Sequence, residues 1–180
     1  VFNVVQKAKM QLVLPDRLVH TYAKETKGSE IYYQNVSKIY REYERVLENN
    51  NSFDFNDLIL KTIFLFDEYD DILQKYRDKF RYIQVDEYQD VNHSQYKITN
   101  LLAKPDNNIF VVGDDWQGIY GFRGADITNI LEFENDYPDA KIIKLEQNYR
   151  SSNNIIEVSN QLIKNNSQNW DLERIAIMDI

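Results

Sequence analysis

Short apolar runs alternate with amphipathic stretches from Arg81 onward, and this alternation constrains the fold more than any other feature of the chain. The predicted strands are residues 81–86, 108–113 and 141–145. The stretches with helical spacing are residues 93–103, 126–136 and 152–165. Strands that alternate with helices form βαβ units, in which parallel strands share one sheet and helices cover its faces. The sequence therefore predicts an α/β fold with a parallel, doubly wound sheet.

The residues before this alternating part predict helices only. Their expected spans are residues 2–13, 16–26, 30–48, 55–66 and 70–79. Asp54, followed by Asp57 three residues later, is close to a capping box at the start of the fourth span. That span is apolar nearly all round, so we expect it to be buried. We divide the chain into a helical segment (1–50), a main domain (51–166) and a tail (167–180) whose role is open.

Composition excludes several classes of protein. The sequence has no run of 18 apolar residues, which excludes a membrane span. It has no cysteine and two histidines, which excludes disulfides and a cysteine- or histidine-rich metal site. The first residues lack the pattern of a signal peptide, so a cytoplasmic location fits the sequence. The chain does not begin with Met, which indicates a piece of a longer protein.

The net charge of −8 limits how the chain can bind nucleic acid. A protein that holds a phosphate backbone by itself usually carries a basic face. Any nucleic-acid contact must here be local, shared with other parts, or made by stacking on aromatic rings. The chain has 13 Tyr, 9 Phe and 2 Trp, and we expect most of these rings to lie in the core.

The first predicted strand ends in two adjacent carboxylates, Asp86 and Glu87. An open α/β sheet presents ligand-binding side chains at the carboxyl ends of its strands. In that position Asp86 can hold Mg²⁺ and Glu87 can orient an attacking water molecule. The alternative is a strand that runs into a solvated acidic turn.

A glycine-rich loop follows the second predicted strand. Four of the five glycines of the chain lie within residues 111–125, and glycine lets a backbone approach a ligand closely. The loop also carries Gln117, whose amide can bond a terminal phosphate, and Arg123. Its rings, Trp116, Tyr120 and Phe122, can stack on bases. The alternative is a tight turn packed with aromatic side chains.

Two further candidates, Tyr149 and Arg150, follow the third predicted strand. Tyr149 can stack on an adenine ring, and Arg150 can neutralise charge that develops on a γ-phosphate, as an arginine finger does. The alternative is an ordinary helix cap, with Ser152 at the cap position and Arg150 in a surface ion pair.

Together these stretches resemble the UvrD/PcrA/Rep-type superfamily-one DNA helicases over roughly residues 30–166. Residues 86–90 resemble the Walker B motif of that family, and residues 112–125 resemble its motif III. Residues 147–151 resemble motif IV, and residues 54–58 resemble the segment by which the chain re-enters the first RecA-like domain. The resemblance implies a partial RecA-like P-loop NTPase domain, preceded by the end of a helical insertion.

The resemblance also implies roles at the nucleotide. Asp86 and Glu87 form the implied metal site, with Glu87 as the catalytic base. Gln89 and Gln117 sense the γ-phosphate and couple it to DNA. Tyr149 stacks on adenine, and ATP and Mg²⁺ are the implied cofactors.

Further roles concern DNA and charge. Tyr120 and Phe122 stack on single-stranded bases, Arg123 braces the acidic motif, and Arg150 is the arginine finger. The loop departs from the family pattern at Trp116, where an acidic residue is common, and this ring adds a stacking surface. Gly118 and Phe122 stand where the family usually has Ser and often Trp.

A phosphate-binding loop of the form Gly-x-x-x-x-Gly-Lys-Ser/Thr is absent from the sequence. Most of the phosphate cradle would then lie elsewhere. We therefore expect an internal fragment of an ATP-dependent helicase that moves on single-stranded DNA, unwinds duplex DNA and is inactive alone. The expected missing partners are an upstream Walker A segment and a downstream second RecA-like domain.

Two other functions fit parts of the sequence. One is a non-catalytic module from a truncated helicase gene that binds DNA or protein. The other is a metal-dependent nuclease with a two-metal carboxylate cluster, which would leave Gln117, Tyr149 and Arg150 unexplained. Its cluster would consist of Asp86, Glu87, Asp90, Asp114 and Asp115.

Overall fold

The computed structural model describes residues 1–25 and 30–164, which form an α/β arrangement of helices around a small sheet. The helices are α1 (Phe2–Met10), α2 (Pro15–Glu25), α3 (Glu30–Asn49), α4 (Phe55–Glu68), α5 (Asp70–Lys79), α6 (His93–Ala103), α7 (Thr128–Leu131), α8 (Phe133–Asp136) and α9 (Asn153–Lys164). The strands are β1 (Ile83–Val85) and β2 (Ile109–Val111). None of the helices in these residues has the length and apolar character needed to cross a membrane.

The first three helices, which we call the helical segment, pack around their own core. Its buried side chains are Val5, Ala8, Leu18, Tyr22, Val36 and Tyr40. α1 ends at Met10, three residues earlier than expected, and Leu12 beyond it has a left-handed backbone (φ 57°). α2 ends at Glu25, and the last residue of its predicted span lies outside the described residues, as does Gly28.

A fully buried lysine joins this helical segment to α4. Lys9 of α1 has 0% of its side chain exposed, and its Nζ donates hydrogen bonds to Asp54 Oδ2 and Asp57 Oδ1, both at 2.8 Å. The same Nζ lies 2.6 Å from Glu44 Oε1 of α3. Burial of a charge is costly unless the charge is paired, and three carboxylates surround this ammonium group. The cluster therefore holds α1 and α3 against the N-terminus of α4.

α4 begins with the predicted capping box, but its predicted burial all round is wrong. Asp54 Oδ1 accepts a hydrogen bond from the Asp57 N–H (2.9 Å), and Asp57 Oδ2 accepts one from the Asp54 N–H (3.1 Å). Phe55 is 91% exposed and Leu58 is also exposed. The buried side chains are Asp57, Leu60, Ile63 and Phe66. α4 packs against α1, α5 and α6, and the described residues leave its other face open.

The two strands pair in parallel, as predicted, with Val85 of β1 opposite Val111 of β2. α5, which leads into β1, and α6, which connects β1 to β2, keep their predicted spans. A second core forms where the strands meet α6, α7 and α8. Its buried members are Tyr88, Val91 and Val111, with Val85, Tyr96, Ile109, Ile130 and Phe133 packed against them.

The predicted third strand is wrong, and with it the doubly wound sheet. Residues 141–145 form no ladder with any described strand, so the sheet has two strands in this part of the chain. The helix predicted over 126–136 is also interrupted. α7 and α8 are separated at Glu132, whose backbone (φ −100°, ψ 9°) leaves the helical region. α9 forms within its predicted span.

Candidate functional site

The acidic pair lies where the sequence predicts it, at the carboxyl end of β1. Asp86 and Glu87 directly follow Val85, and both side chains are exposed. Glu87 has a left-handed backbone (φ 50°, ψ 47°), and its N–H donates to Asp86 Oδ1 at 2.9 Å. A residue other than glycine is uncommon in this conformation, and such strain is concentrated at functional sites.

Backbone hydrogen bonds hold the acidic pair beside the loop that follows β2. The Val112 N–H donates to the Val85 carbonyl and the Tyr88 N–H donates to the Val112 carbonyl, both at 2.9 Å. Tyr88 opens a 3₁₀ turn, Tyr88–Asp90, and its ring is fully buried against Phe133. The first residues after both strands therefore lie side by side at one edge of the sheet.

Gln89 links the two stretches through its side chain. Its Nε2 donates to Glu87 Oε2 (2.6 Å) and its Oε1 accepts from the Asp114 N–H (3.0 Å). The side chain is 1% exposed, so both amide atoms are used inside the protein. Gly113 makes this possible, because a Cβ at that position would lie 2.7 Å from Gln89 Oε1.

Asp114 carries the connection on to Gln117. Its Oδ2 accepts from Gln117 Nε2 (2.8 Å), and its Oδ1 accepts from the Trp116 N–H (3.0 Å) at the start of a second 3₁₀ turn, Asp115–Gln117. A continuous series of hydrogen bonds thus runs from the Glu87 carboxylate through Gln89 and Asp114 to the amide of Gln117. The sequence analysis identified Asp114 only as a possible metal ligand. Its position directly after Gly113, at the end of the second predicted strand, is the sequence feature that could have indicated its role in this series of hydrogen bonds.

The aromatic loop, which we define as residues 116–123, exposes the rings of Tyr120 and Phe122, while Trp116 is half-buried. Phe122 is 79% exposed, and Ile119 and Tyr120 are also exposed. The Tyr120 and Phe122 rings are tilted with centroids 5.8 Å apart. The Arg123 guanidinium Cζ lies 5.0 Å from the Tyr120 centroid and 5.5 Å from the Phe122 centroid, a cation–π arrangement. The loop therefore offers two flat apolar surfaces stiffened by one cation.

The end of the aromatic loop is tied back to the acidic stretch. Asn92 and Ala125 form an antiparallel bridge, and the Val91 carbonyl accepts from the Asp126 N–H (3.1 Å) and from Asn129 Nδ2 (2.9 Å). Asn129 is buried, and the sequence analysis did not identify it as a functional residue. The loop is thus attached to residues 86–92 at both of its ends.

The remaining predicted site residues are not joined to the acidic stretch by hydrogen bonds or ion pairs in the described part of the chain. Arg123 stacks on rings instead of pairing with a carboxylate. Tyr149 is 91% exposed. Asn148 Oδ1 accepts from the N–H groups of Arg150 and Ser151, both at 2.9 Å, so these residues form a local turn before α9.

Two carboxyl groups near the acidic pair are harder to ionise than usual. Burial raises the pKa of Asp90 above its ordinary value, and the charge of Glu87 adds to this shift. One oxygen of Asp90, Oδ1, is buried without a hydrogen-bond partner among the described residues. Burial also raises the pKa of Asp115, and the charge of Asp114 adds to it.

The residues present fit a magnesium ion held jointly with a phosphate group more closely than a cage of protein ligands. Within residues 1–25 and 30–164, no group of three or more carboxylate or imidazole side chains is arranged to hold a metal ion, since the three carboxylates around Lys9 are paired with its ammonium group. The five carboxylates of the nuclease alternative do not form such a group. Asp86 is exposed, and the hydrogen bond that it accepts from the Glu87 N–H goes to Oδ1. Mg²⁺ prefers oxygen ligands and is commonly bound by one or two carboxylates plus substrate phosphates.

Comparison with known proteins adds a family match and curated relatives. The family model described as UvrD/REP helicase N-terminal domain matches residues 1–138. The chain is 51% identical over 144 residues to the ATP-dependent DNA helicase PcrA of Staphylococcus epidermidis, covering 80% of the chain and 20% of that protein. It is 48% identical over 167 residues to the PcrA helicase of Bacillus subtilis, covering 93% of the chain and 22% of that protein. The chain spans about a fifth of the length of these relatives.

Proposed function

The chain belongs to the UvrD/REP helicase family, and we propose that it supplies the hydrolytic side chains and a DNA-contacting loop of an ATP-driven helicase. In this proposal residues 51–166 are part of a RecA-like domain and residues 1–50 are the end of a helical insertion. The whole protein moves along single-stranded DNA and unwinds duplex DNA. The family match and the curated relatives, which are named ATP-dependent DNA helicases, support this proposal.

The observation that carries the proposal is the hydrogen-bonded series from Glu87 to Gln117. It joins a carboxylate at the end of β1 to the first turn of the aromatic loop through the buried amide of Gln89. A motor needs such a connection, because events at the phosphate must alter contacts with the nucleic acid. The sequence analysis expects both Gln89 and Gln117 to sense the γ-phosphate. Because the Gln89 amide is buried and bonded at both atoms, this proposal makes Gln89 a positioning residue and leaves the response to the γ-phosphate to the exposed Gln117.

The acidic pair has two separate roles in hydrolysis. Asp86 offers its Oδ2 to Mg²⁺. When bound, the ion neutralises charge on the phosphate oxygens. Glu87 accepts the proton of the attacking water, and Gln89 Nε2 holds the Glu87 carboxylate through its 2.6 Å hydrogen bond.

The aromatic loop supplies contacts to single-stranded bases. Stacking on exposed rings does not require a basic face, which agrees with the net charge of −8. Phe122 and Tyr120 carry the stacking surfaces, and Trp116 adds a third ring near the start of the loop. Arg123, which lies over two of these rings, stiffens the loop.

Tyr149 and Arg150 act from the exposed turn before α9. Both side chains are accessible, as they must be to reach a nucleotide held between two domains. Tyr149 stacks on adenine, and Arg150 neutralises charge on the γ-phosphate in the transition state.

The decisive test is Glu87→Gln in the protein at its full natural length. We expect ATP binding to be kept while DNA-stimulated hydrolysis falls by about 10²–10⁴-fold, because a general base contributes about that much. Glu134→Gln, which changes an exposed carboxylate on α8, is the matched control and should leave hydrolysis unchanged. Near-normal turnover in Glu87→Gln would remove the catalytic role from this residue.

A further inference from the structure

The end of α1 lies beside Gly124, the residue that directly follows the aromatic loop. Gly124, which follows Arg123, has a left-handed backbone (φ 88°). A Cβ built there would lie 3.3 Å from Met10 Sδ, 3.9 Å from Met10 Cε and 4.0 Å from Met10 Cβ. All three of its nearest heavy atoms therefore belong to one side chain of the helical segment. At Gly121, near the tip of the loop, a Cβ would meet no heavy atom within 4 Å.

Met10 is itself held in place by its neighbour in the chain. Lys9 Nζ is bound to Asp54 and Asp57 at the start of α4 and to Glu44 of α3. Because the ammonium group is fully buried among these carboxylates, α1 cannot shift without breaking charged hydrogen bonds. The C-terminal end of α1 is therefore held in place beside Gly124, at the exit of the aromatic loop.

We propose that Met10 is a positioning residue for the DNA-contacting loop, which it supports through Gly124 while the bridge between Asn92 and Ala125 holds the adjacent backbone. The inference rests on the proposed role of the aromatic loop in single-strand binding. It adds a residue of the helical segment to those that determine DNA binding, although the sequence analysis assigned no chemistry to that segment.

The mechanism is preorganisation of the rings. Phe122 and Tyr120 are exposed, and their position depends on where the loop backbone enters and leaves. The entry is set by Asp114 and the exit by Ala125 and Gly124. With the Met10 side chain shortened, the exit is free to move toward α1, so that binding a strand must first restore the loop position.

The experiment compares Met10→Ala with Met10→Leu in the protein at its full natural length. We expect Met10→Ala to weaken binding of a fluorescent oligo(dT) by about three- to tenfold, a usual size for residues that act through others. Met10→Leu keeps an apolar side chain of similar volume and should bind within about twofold of the unchanged protein. The affinity for ATP should be the same in both variants.

A second readout reports the loop directly. This readout uses the 180-residue chain, in which Trp170→Phe leaves Trp116, the first residue of the aromatic loop, as the one tryptophan. We expect its emission spectrum to change in Met10→Ala and to be restored in Met10→Leu. A side chain that serves stability alone would lower the melting temperature without changing this spectrum or the affinity of the folded protein for DNA.

Phe122→Ala separates failure of this inference from failure of the proposed function. If Phe122→Ala weakens binding roughly tenfold and Met10→Ala does not, Met10 has no positioning role while the DNA-contacting loop stands. If Phe122→Ala binds as well as the unchanged protein, the role of the loop is wrong and the inference falls with it. Loss of binding in Met10→Leu equal to that in Met10→Ala would also overturn the inference.

Discussion

Position 113 requires glycine because side chains packed around it leave no space for a Cβ, and not because of its backbone conformation. Its φ is not in the left-handed region, so another residue could adopt the same conformation. The restriction is space, since a Cβ would lie 2.7 Å from Gln89 Oε1, 2.8 Å from Ile130 Cδ1 and 3.2 Å from the Tyr88 backbone N. The buried amide that connects Glu87 to the aromatic loop therefore depends on the missing side chain of Gly113.

We accordingly expect Gly113→Ala to lower the free energy of unfolding by about 1–3 kcal/mol, the usual cost of overpacking. Gly121→Ala is the matched control, because nothing lies near its Cβ position, and it should change stability by less than about 0.5 kcal/mol. Urea denaturation of the two variants measures the difference. Equal stability would show that Gln89 and Ile130 move aside at little cost.

For individual residues, the sequence predicted which side chains lie at the end of a strand. It did not predict contacts between residues that are far apart in the sequence. Asp86 and Glu87 lie at the carboxyl end of β1 because strand position follows from local spacing. The cluster around Lys9 joins positions 45 and 48 residues apart, and no local pattern reports such a pair. The left-handed backbone of Glu87 is likewise set by packing that a single sequence does not reveal.

Among the elements, helices were predicted better than strands. α3, α5 and α6 have nearly the predicted spans, because helical periodicity and caps are local signals. The apolar run at 141–145 resembles a strand by composition, yet a strand also needs a hydrogen-bonded neighbour, which the described residues do not supply. α4 was predicted to be buried all round because apolar composition does not state how many faces are covered.

Lys9 decides how α1, α3 and α4 stay together. We expect Lys9→Met to lower the free energy of unfolding at pH 7 by about 3–5 kcal/mol, because it leaves buried carboxylates without their counter-charge. Lys38→Met on the exposed face of α3 is the matched control and should have little effect. Thermal or urea unfolding measures both, and a loss below 1 kcal/mol would contradict a structural role for the cluster.

The pH dependence of this cluster has two limits. Burial alone would lower the pKa of Lys9, but hydrogen bonds to Asp54, Asp57 and Glu44 outweigh it and raise the pKa from 10.5 to about 12. This contribution to stability is complete below pH 10.5 and is lost as pH rises toward 12.

Burial alone would raise the pKa of Asp54, but the bonds from Lys9 and the Asp57 N–H lower it below 3.8. That contribution is complete above pH 3.8 and is lost as pH falls through the lowered value. Lys9→Met should abolish the alkaline dependence and weaken the acid one, because the hydrogen bond from the Asp57 N–H to Asp54 remains.

At the scale of the whole molecule, two features bear on function: the extent of the sheet and the absence from the sequence of a phosphate-binding loop of the Walker A form. The described residues form a two-stranded parallel sheet, and the curated relatives are about five times as long as the stretch they share with the chain. The sequence has no Gly-x-x-x-x-Gly-Lys-Ser/Thr loop, whose backbone N–H groups and lysine would hold the phosphates of ATP.

We therefore expect the 180-residue chain by itself to show no ATP turnover, with or without single-stranded DNA. A coupled phosphate-release assay measures this, beside the same chain carrying Glu87→Gln. Turnover that persists in Glu87→Gln would come from a contaminant. Turnover that disappears in Glu87→Gln would mean that the chain holds a phosphate cradle of another form, and the requirement for a separate loop would be wrong.

The left-handed backbone of Glu87 creates a conflict at one position between the stability of the folded protein and the proposed catalytic activity. A residue other than glycine in this conformation costs about 1–3 kcal/mol, and glycine or asparagine adopts it more readily. Selection for heat resistance alone would favour such a replacement, and in the proposed mechanism each replacement removes the base. Directed evolution of this protein toward thermostability would therefore enrich well-folded but inactive variants at position 87 unless each round also selects for turnover.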